Sequence, residues 1–379
     1  GILFMEKDLT NYLDSLEKYG IPGCDCAVWH NHRPVFRHMA GYADSVGKKP
    51  VTAGDTYWLY SVSKLFTCTA VMQLIEKGSI GLDDPVWEYL PGYRDLTVKR
   101  GSSVKRAENT MTIRHLLSMQ SGLNYNLNAP SIRKVLKDTG GQATTRQVME
   151  ALAGEPLDFE PGTHYQYSLS HDVLGAVIEV VSDRQFGRYL DEQIFQPLGM
   201  KNTGFELTPD RKANMLAQFQ YDVQKKAFVP MSPDNCFVFS KRYESGGAGL
   251  ISTVDDMMLF LDALCNGGTS KDGYRLLAPE SIDRMRTDQL NDASRADFAL
   301  LGKTGYSYGL GVRTLVDKEK SGSESPLGEF GWDGAAGAYA LIDTENRLAI
   351  FYAQHVRGCE IAYQEVHPKI RDLTYRMLA

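Results

Sequence analysis

Ser61 and Lys64 stand three residues apart in "TYWLYSVSKLFTCTAVMQLIEKG", residues 56–78. A serine hydroxyl is a poor nucleophile until a base takes its proton, and a lysine can be that base once burial or a neighbouring cation lowers its pKa. Three residues is nearly one helical turn, so both side chains share a face. The amides at a helix N-terminus would also favour negative charge developing there. The spacing alone decides little, because Ser-x-x-Lys occurs five times, at Ser15/Lys18, Ser45/Lys48, Ser61/Lys64, Ser102/Lys105 and Ser131/Lys134. Only the third lies between apolar flanks, "YWLY" and "LFTCTAVM", where a lysine needs a reason to be. In isolation the pair reads either as nucleophile and base or as a polar first turn.

A second stretch, "FEPGTHYQYSLSHDVLGAVIEVVS" (residues 159–182), puts Tyr167 between a Pro-Gly turn and an apolar helix. A phenol near a lysine can shuttle protons, since an ammonium stabilises phenolate; a packed aromatic capping the loop is the plainer alternative for any of 20 tyrosines. In a third, "GEFGWDGAAGAYALIDTENRLAIFYAQH", Gly331, Gly334, Ala335, Ala336 and Gly337 head a strand. Small residues there permit close backbone approach by a ligand, and a free strand-edge amide opposite that of Ser61 would bind an oxyanion. A tight turn feeding an edge strand explains the same glycines.

Other chemistries find no support. The eight histidines include no HExxH and join no cysteine cluster, and "GYADSVGKK" has the wrong glycine spacing for a phosphate loop. A formal charge of −6 leaves no basic stripe to neutralise nucleic-acid phosphates. No run approaches the about 20 apolar residues of a membrane helix, and "GILFMEKDL" lacks the basic start of a secretory signal. The six cysteines form no CxxC pair, so reduced thiols and a cytoplasmic location are expected, with a removed signal peptide left open.

These residues need elements to hold them. Residues 5–19 read as an amphipathic helix, with Leu9, Tyr12, Leu13 and Leu16 on one face. Strands follow at 24–30 and 34–39, with Cys24 and Cys26 on the same side. Helices are predicted at 63–77, 112–118, 171–182 and 185–196, separated by Pro- and Gly-bearing loops. Strand signals return after Ala217 and dominate from Tyr306, with a hairpin across "DTEN" and a last helix at 361–377. The order predicts an α/β (α+β) fold in which both chain ends build one sheet and an all-helical lobe is inserted between them. One domain of 379 residues is expected, with lobes 1–60 plus 215–379 and 61–214.

Taken in order, an apolar-flanked Ser-x-x-Lys, a Pro-Gly…Tyr-Ser stretch and a glycine-rich strand head before a hairpin resemble the serine β-lactamase and penicillin-binding superfamily. The likeness extends through "MTIRHLLSMQSGL", "IFQPLGMKNTGF" and "GGAGLISTVDDMMLFLDAL". Within it, "YSLSHDVLG" and "WDG" look most like the family VIII carboxylesterases and related transesterases. Class C β-lactamases carry Tyr-x-Asn and Lys-Thr-Gly instead, where this chain has Leu169 and Trp332-Asp333. A literal Lys303-Thr304-Gly305 precedes "YSYGLGVRTL" rather than the hairpin, and is read as a loop.

The resemblance implies an antiparallel sheet flanked by N- and C-terminal helices. It also implies an acyl-enzyme on Ser61, acid–base work by Lys64 and Tyr167 with their division left open, and an oxyanion hole of the Ser61 and Ala335 amides. Trp332, Asp333, Gly334 and Leu169 are then expected to contact substrate. The third motif supplies no cation for a substrate carboxylate, so a neutral acyl ester suits it better than a β-lactam. No metal or organic cofactor is called for. β-Lactam hydrolysis or D-amino-acid peptidase action, acyl transfer and a silent binding protein are the alternatives.

Overall fold

The computed structural model describes residues 2–379, with side chains from residue 6 onward. The first helix, α1 (Ile2–Asp14), buries Leu9 and Leu13. Two strands follow, β1 (Gly23–His30) and β2 (Arg33–Gly41), joined at Asn31 and His32. Next come the helices α2 (Ser63–Glu76), α3 (Ser170–Ser182) and α4 (Val254–Cys265). The chain then returns as strands β3 (Tyr306–Tyr308), β4 (Arg313–Leu315), β5 (Phe330–Asp333), β6 (Tyr339–Asp343) and β7 (Leu348–Gln354). Helix α5 (His367–Leu378) closes it, entered through a π turn at Ala362–Val366.

Both chain ends build one seven-stranded sheet in the order β2-β1-β7-β6-β5-β4-β3, antiparallel throughout. A strand covered on both faces reads as a continuous apolar run, and every residue of β7, "LAIFYAQ", is buried. One face packs on α1 and α5 through Leu9, Leu13, Leu341, Tyr352 and Ile370. The other meets α4 and the helical region through Ala27, Phe351, Phe330 and Trp332. Cys24 and Cys26 both face α1 and α5; Asp25 between them is buried and takes both oxygens to Arg37, at 2.6 and 2.7 Å. All six cysteines are free thiols, and no described helix is long and apolar enough to cross a membrane.

Three features depart from the sequence pattern. The inserted lobe is not all-helical, since residues Thr97–Arg100 and Ser103–Arg106 pair as a two-stranded hairpin. Residues 219–222, 227–230 and 356–357 form a separate three-stranded sheet. Helix α2 is buried all round from Ser63 to Leu74, so its apolar stripe is one part of a wholly interior helix.

Candidate active site

Ser61 lies just before α2, in a single 3-10 turn over Tyr60–Val62. Tyr60 has φ +46°, a left-handed conformation that is rare and strained for a bulky residue. Its ring is fully buried and its hydroxyl bonds Gln218, which fixes the turn and leaves Ser61 half-exposed at the head of the helix.

One turn on, Lys64 is wholly buried. Its ammonium donates to Ser61 Oγ at 3.2 Å, to Tyr125 Oη at 2.9 Å and to the Gly247 carbonyl at 2.8 Å. The Tyr167 and Tyr125 rings flank it at 4.4 and 5.0 Å. Burial lowers its pKa to about 7, and the charges of Asp172 and Asp333 only partly restore it. A lysine in this state divides between ammonium and free amine near neutrality, as a general base for Ser61 requires.

Tyr167 is half-buried in the loop before α3. Burial raises its pKa, against the Ser61 hydroxyl and the Trp332 indole, whose Nε1–H donates to the phenol at 3.0 Å. Trp332 comes from β5 and stacks obliquely on Tyr167 at 5.6 Å. With Tyr125 and Phe237, these rings form an aromatic wall beside Ser61. Where β5 ends, Gly334 abuts the serine turn: a Cβ there would lie 2.3 Å from the Leu59 carbonyl oxygen and 3.5 Å from the Ser61 nitrogen. The next amide, Ala335 N–H, donates to no acceptor among the described residues. The Ser61 and Ala335 amides thus belong to two segments that meet at this point.

Ser61, Lys64, Tyr167, Trp332, Gly334 and Ala335 therefore converge, but two expected contact residues do not join them. Leu169 is buried in the core at the start of α3, with its amide on the Asn124 carbonyl; it is a packing residue. Asp333 points to the opposite face of β5 from Trp332, as pleat alternation demands, and pairs with Lys303. Lys303-Thr304-Gly305 is a loop leading into β3, as read from sequence, yet its ammonium reaches Asp333 and sits 5.2 Å from the centre of the Trp332 ring. The expectation that no cation stands near the third motif is corrected: one is present, held by the motif's own aspartate.

Three participants escaped the sequence reading. Tyr125 follows "MQSGL" by two residues. Asp172, inside "YSLSHDVLG", accepts from Tyr243 Oη at 2.6 Å and from the Gly247 amide at 3.0 Å. Gly247, in "GGAG", must lack a side chain: a Cβ would fall 2.4 Å from Asp172 Oδ1, 2.8 Å from Tyr125 Oη and 3.4 Å from Lys64 Nζ.

Known proteins are similar to this chain over most of its length. Esterase EstB of Burkholderia gladioli is 29% identical over 89% of this chain and 86% of its own. Acyltransferase calJ of Penicillium decumbens is 28% identical over 84% and 80% respectively. The structure of EstCE1, described as a hydrolase with promiscuous acyltransferase activity, superposes with a TM-score of 0.80 at 25% identity, covering 99% of this chain and 98% of the other. Residues 7–358 match the Beta-lactamase family, and with the sheet, the flanking helices and the Ser-x-x-Lys helix in place, the chain belongs to that family.

Proposed function

We propose that this protein hydrolyses carboxylic esters through an acyl-enzyme on Ser61. Ser61 Oγ attacks the ester carbonyl while the free amine of Lys64, 3.2 Å away, takes the hydroxyl proton. The oxyanion that forms is met by the Ser61 and Ala335 amides. Tyr167 gives its phenolic proton to the departing alkoxide, and the bond between the carbonyl carbon and that oxygen breaks. Water then attacks the acyl-serine, losing a proton to the same pair, and the acid leaves as Ser61 regains its hydrogen. The Trp332 indole bond to the phenol oxygen supports the phenolate at each transfer.

One observation carries the choice of ester over β-lactam. The wall beside Ser61 is aromatic, and Lys303, the cation at the rim, is already paired with Asp333. An anionic substrate group would have to displace that carboxylate, whereas a neutral acyl chain meets only rings. A second reading, transfer of the acyl group to an alcohol other than water, uses the same residues; the acyltransferase activities named for two relatives favour it as a side reaction.

The test is turnover of p-nitrophenyl acetate, butyrate and octanoate beside a chromogenic cephalosporin, in wild type and Ser61→Ala. Ester cleavage lost in the variant, with little cephalosporin cleavage, supports the reading. Strong cephalosporin turnover refutes it and frees Lys303 for substrate. Alcoholysis products in added methanol or butanol measure the transfer branch.

A further inference from the structure

On the face of β5 turned away from Ser61 lies a cavity of about 160 Å³ between the outer strands and α5. A water needs only about 10–15 Å³ of such space, so a small organic molecule fits. Its lining includes Lys303, Arg313, Asp333, Tyr363, His367 and Arg371. Three of these are cations and one is an acid; burial lowers the His367 pKa to about 4, which leaves that ring neutral at pH 7.

Lys303 is paired with Asp333, but the two guanidinium groups make few short hydrogen bonds. Arg313 is 3% exposed, and its Nη2 donates to the Ala340 carbonyl at 2.7 Å. Its nearest carboxylate oxygen, Glu329 Oε2, is 4.0 Å away, beyond hydrogen-bond reach and itself without a partner, and Arg313 Nη1 has none among the described residues. Arg371 gives Nε to Asp372 at 3.0 Å and only a long 3.3 Å contact from Nη1 to Tyr306 Oη. A buried guanidinium is satisfied best by a carboxylate that takes two parallel hydrogen bonds, and a buried donor left without an acceptor is unfavourable. Asp333 registers the resulting field. Burial pushes its pKa up, but the surrounding cations, Lys303 foremost, hold it below the ordinary carboxylate range.

We propose that this cavity binds a small free carboxylate, held by Arg313 and Arg371, with the Lys303–Asp333 pair at its mouth. A free acid is favoured over the tail of an ester substrate because the cavity and the ester wall lie on opposite faces of β5.

The probe is malonate, read by thermal unfolding of the full chain at pH 7 against sodium chloride of equal ionic strength. At a hundred times its dissociation constant, malonate raises the wild-type midpoint by about 3 °C, and chloride does not. Arg371→Gln weakens the malonate response about tenfold. Thr304→Glu, at an exposed lining position, tethers a competing carboxylate at the mouth and abolishes the response without touching a buried group. Malonate no better than chloride, or a Thr304→Glu protein that responds like wild type, overturns the proposal. Hydrolysis of mono-p-nitrophenyl glutarate relative to p-nitrophenyl butyrate distinguishes the sources. That ratio stays within twofold in Arg371→Gln; a tenfold fall would overturn the assignment to a free acid.

Discussion

Asp172→Asn removes one negative charge beside Lys64 while keeping the outline of the side chain. Lys64 Nζ and Asp172 Oδ1 lie 3.4 and 2.4 Å from the point a Cβ on Gly247 would occupy, so they are within about 6 Å of each other. Two unit charges at that distance interact by about 2.8 kcal/mol at an effective dielectric constant near 20, or roughly two pKa units. The sign follows from which form works. In the proposed mechanism the free amine is the base, so kcat/KM rises with pH as Lys64 loses its proton, with a midpoint at about 7 in wild type. Asp172 stabilises the ammonium and holds that midpoint up; without it the amine appears at lower pH, near 5.

The assay is kcat/KM for p-nitrophenyl butyrate from pH 5 to 9 in both proteins, with circular dichroism to confirm folding. Activity at pH 6 relative to pH 8 rises about tenfold in the variant, while the plateau falls because the amine has become a weaker base. A midpoint that stays at 7 would mean Asp172 is protonated when Lys64 titrates, despite its bonds from Tyr243 and Gly247. A midpoint that rises would mean Lys64 is not the group observed. Either result refutes the reasoning.

Tyr125→Phe removes the 2.9 Å contact accepted from the ammonium; hydrogen bonds to charged groups contribute about 1.5–3 kcal/mol, so the same pH midpoint falls by about one unit or more. Trp332→Phe deletes the donor to Tyr167, a neutral bond of about 0.5–1.5 kcal/mol. It lowers kcat/KM by up to about tenfold with the midpoint unmoved, measurable in the same profiles. Asp25→Ala leaves Arg37 only Asp255 at the surface and costs about 3 kcal/mol, read as a lower urea midpoint at unchanged slope; a loss under about 1 kcal/mol would deny the pair its structural role.

What the sequence made legible follows from how each residue interacts. The β1–β2 and β6–β7 hairpins were readable because their apolar runs are bounded by turn residues, and α2 because its apolar stripe repeats at helical spacing even though the helix is buried all round. The hairpin at Thr97–Arg106 was not, since one strand is wholly exposed and carries no alternation. Ser61 and Lys64 stand out by their apolar flanks, but their roles, and the choice of Tyr167 among 20 tyrosines, rest on the order of the motifs and the family it resembles. Tyr125 and Gly247 could not: their relation to Lys64 is purely spatial, across 61 and 183 residues, and a tyrosine or a glycine carries no local mark of such a contact. Leu169 occupies the expected position but not the expected direction, because a leucine at the mouth of an apolar helix turns inward to the core.

Lys303 shows why a motif needs its strand. Lysine acts on a substrate only if its ammonium is directed there and is not already neutralised. On a strand edge facing Ser61, it would present a free charge to an incoming carboxylate. In the loop ahead of β3 it comes to the same end of the sheet from the side, and Asp333 meets it first. The aspartate in "WDG" is then turned away from the pocket beside Ser61. It turns the local cation away from that pocket and toward the cavity behind β5. Asp333→Asn separates these roles: with the internal partner neutralised, Lys303 is released, and the expected outcome is improved kcat/KM for mono-p-nitrophenyl glutarate relative to p-nitrophenyl butyrate. An unchanged ratio would mean that Lys303 is held by its loop and not by the charge of Asp333.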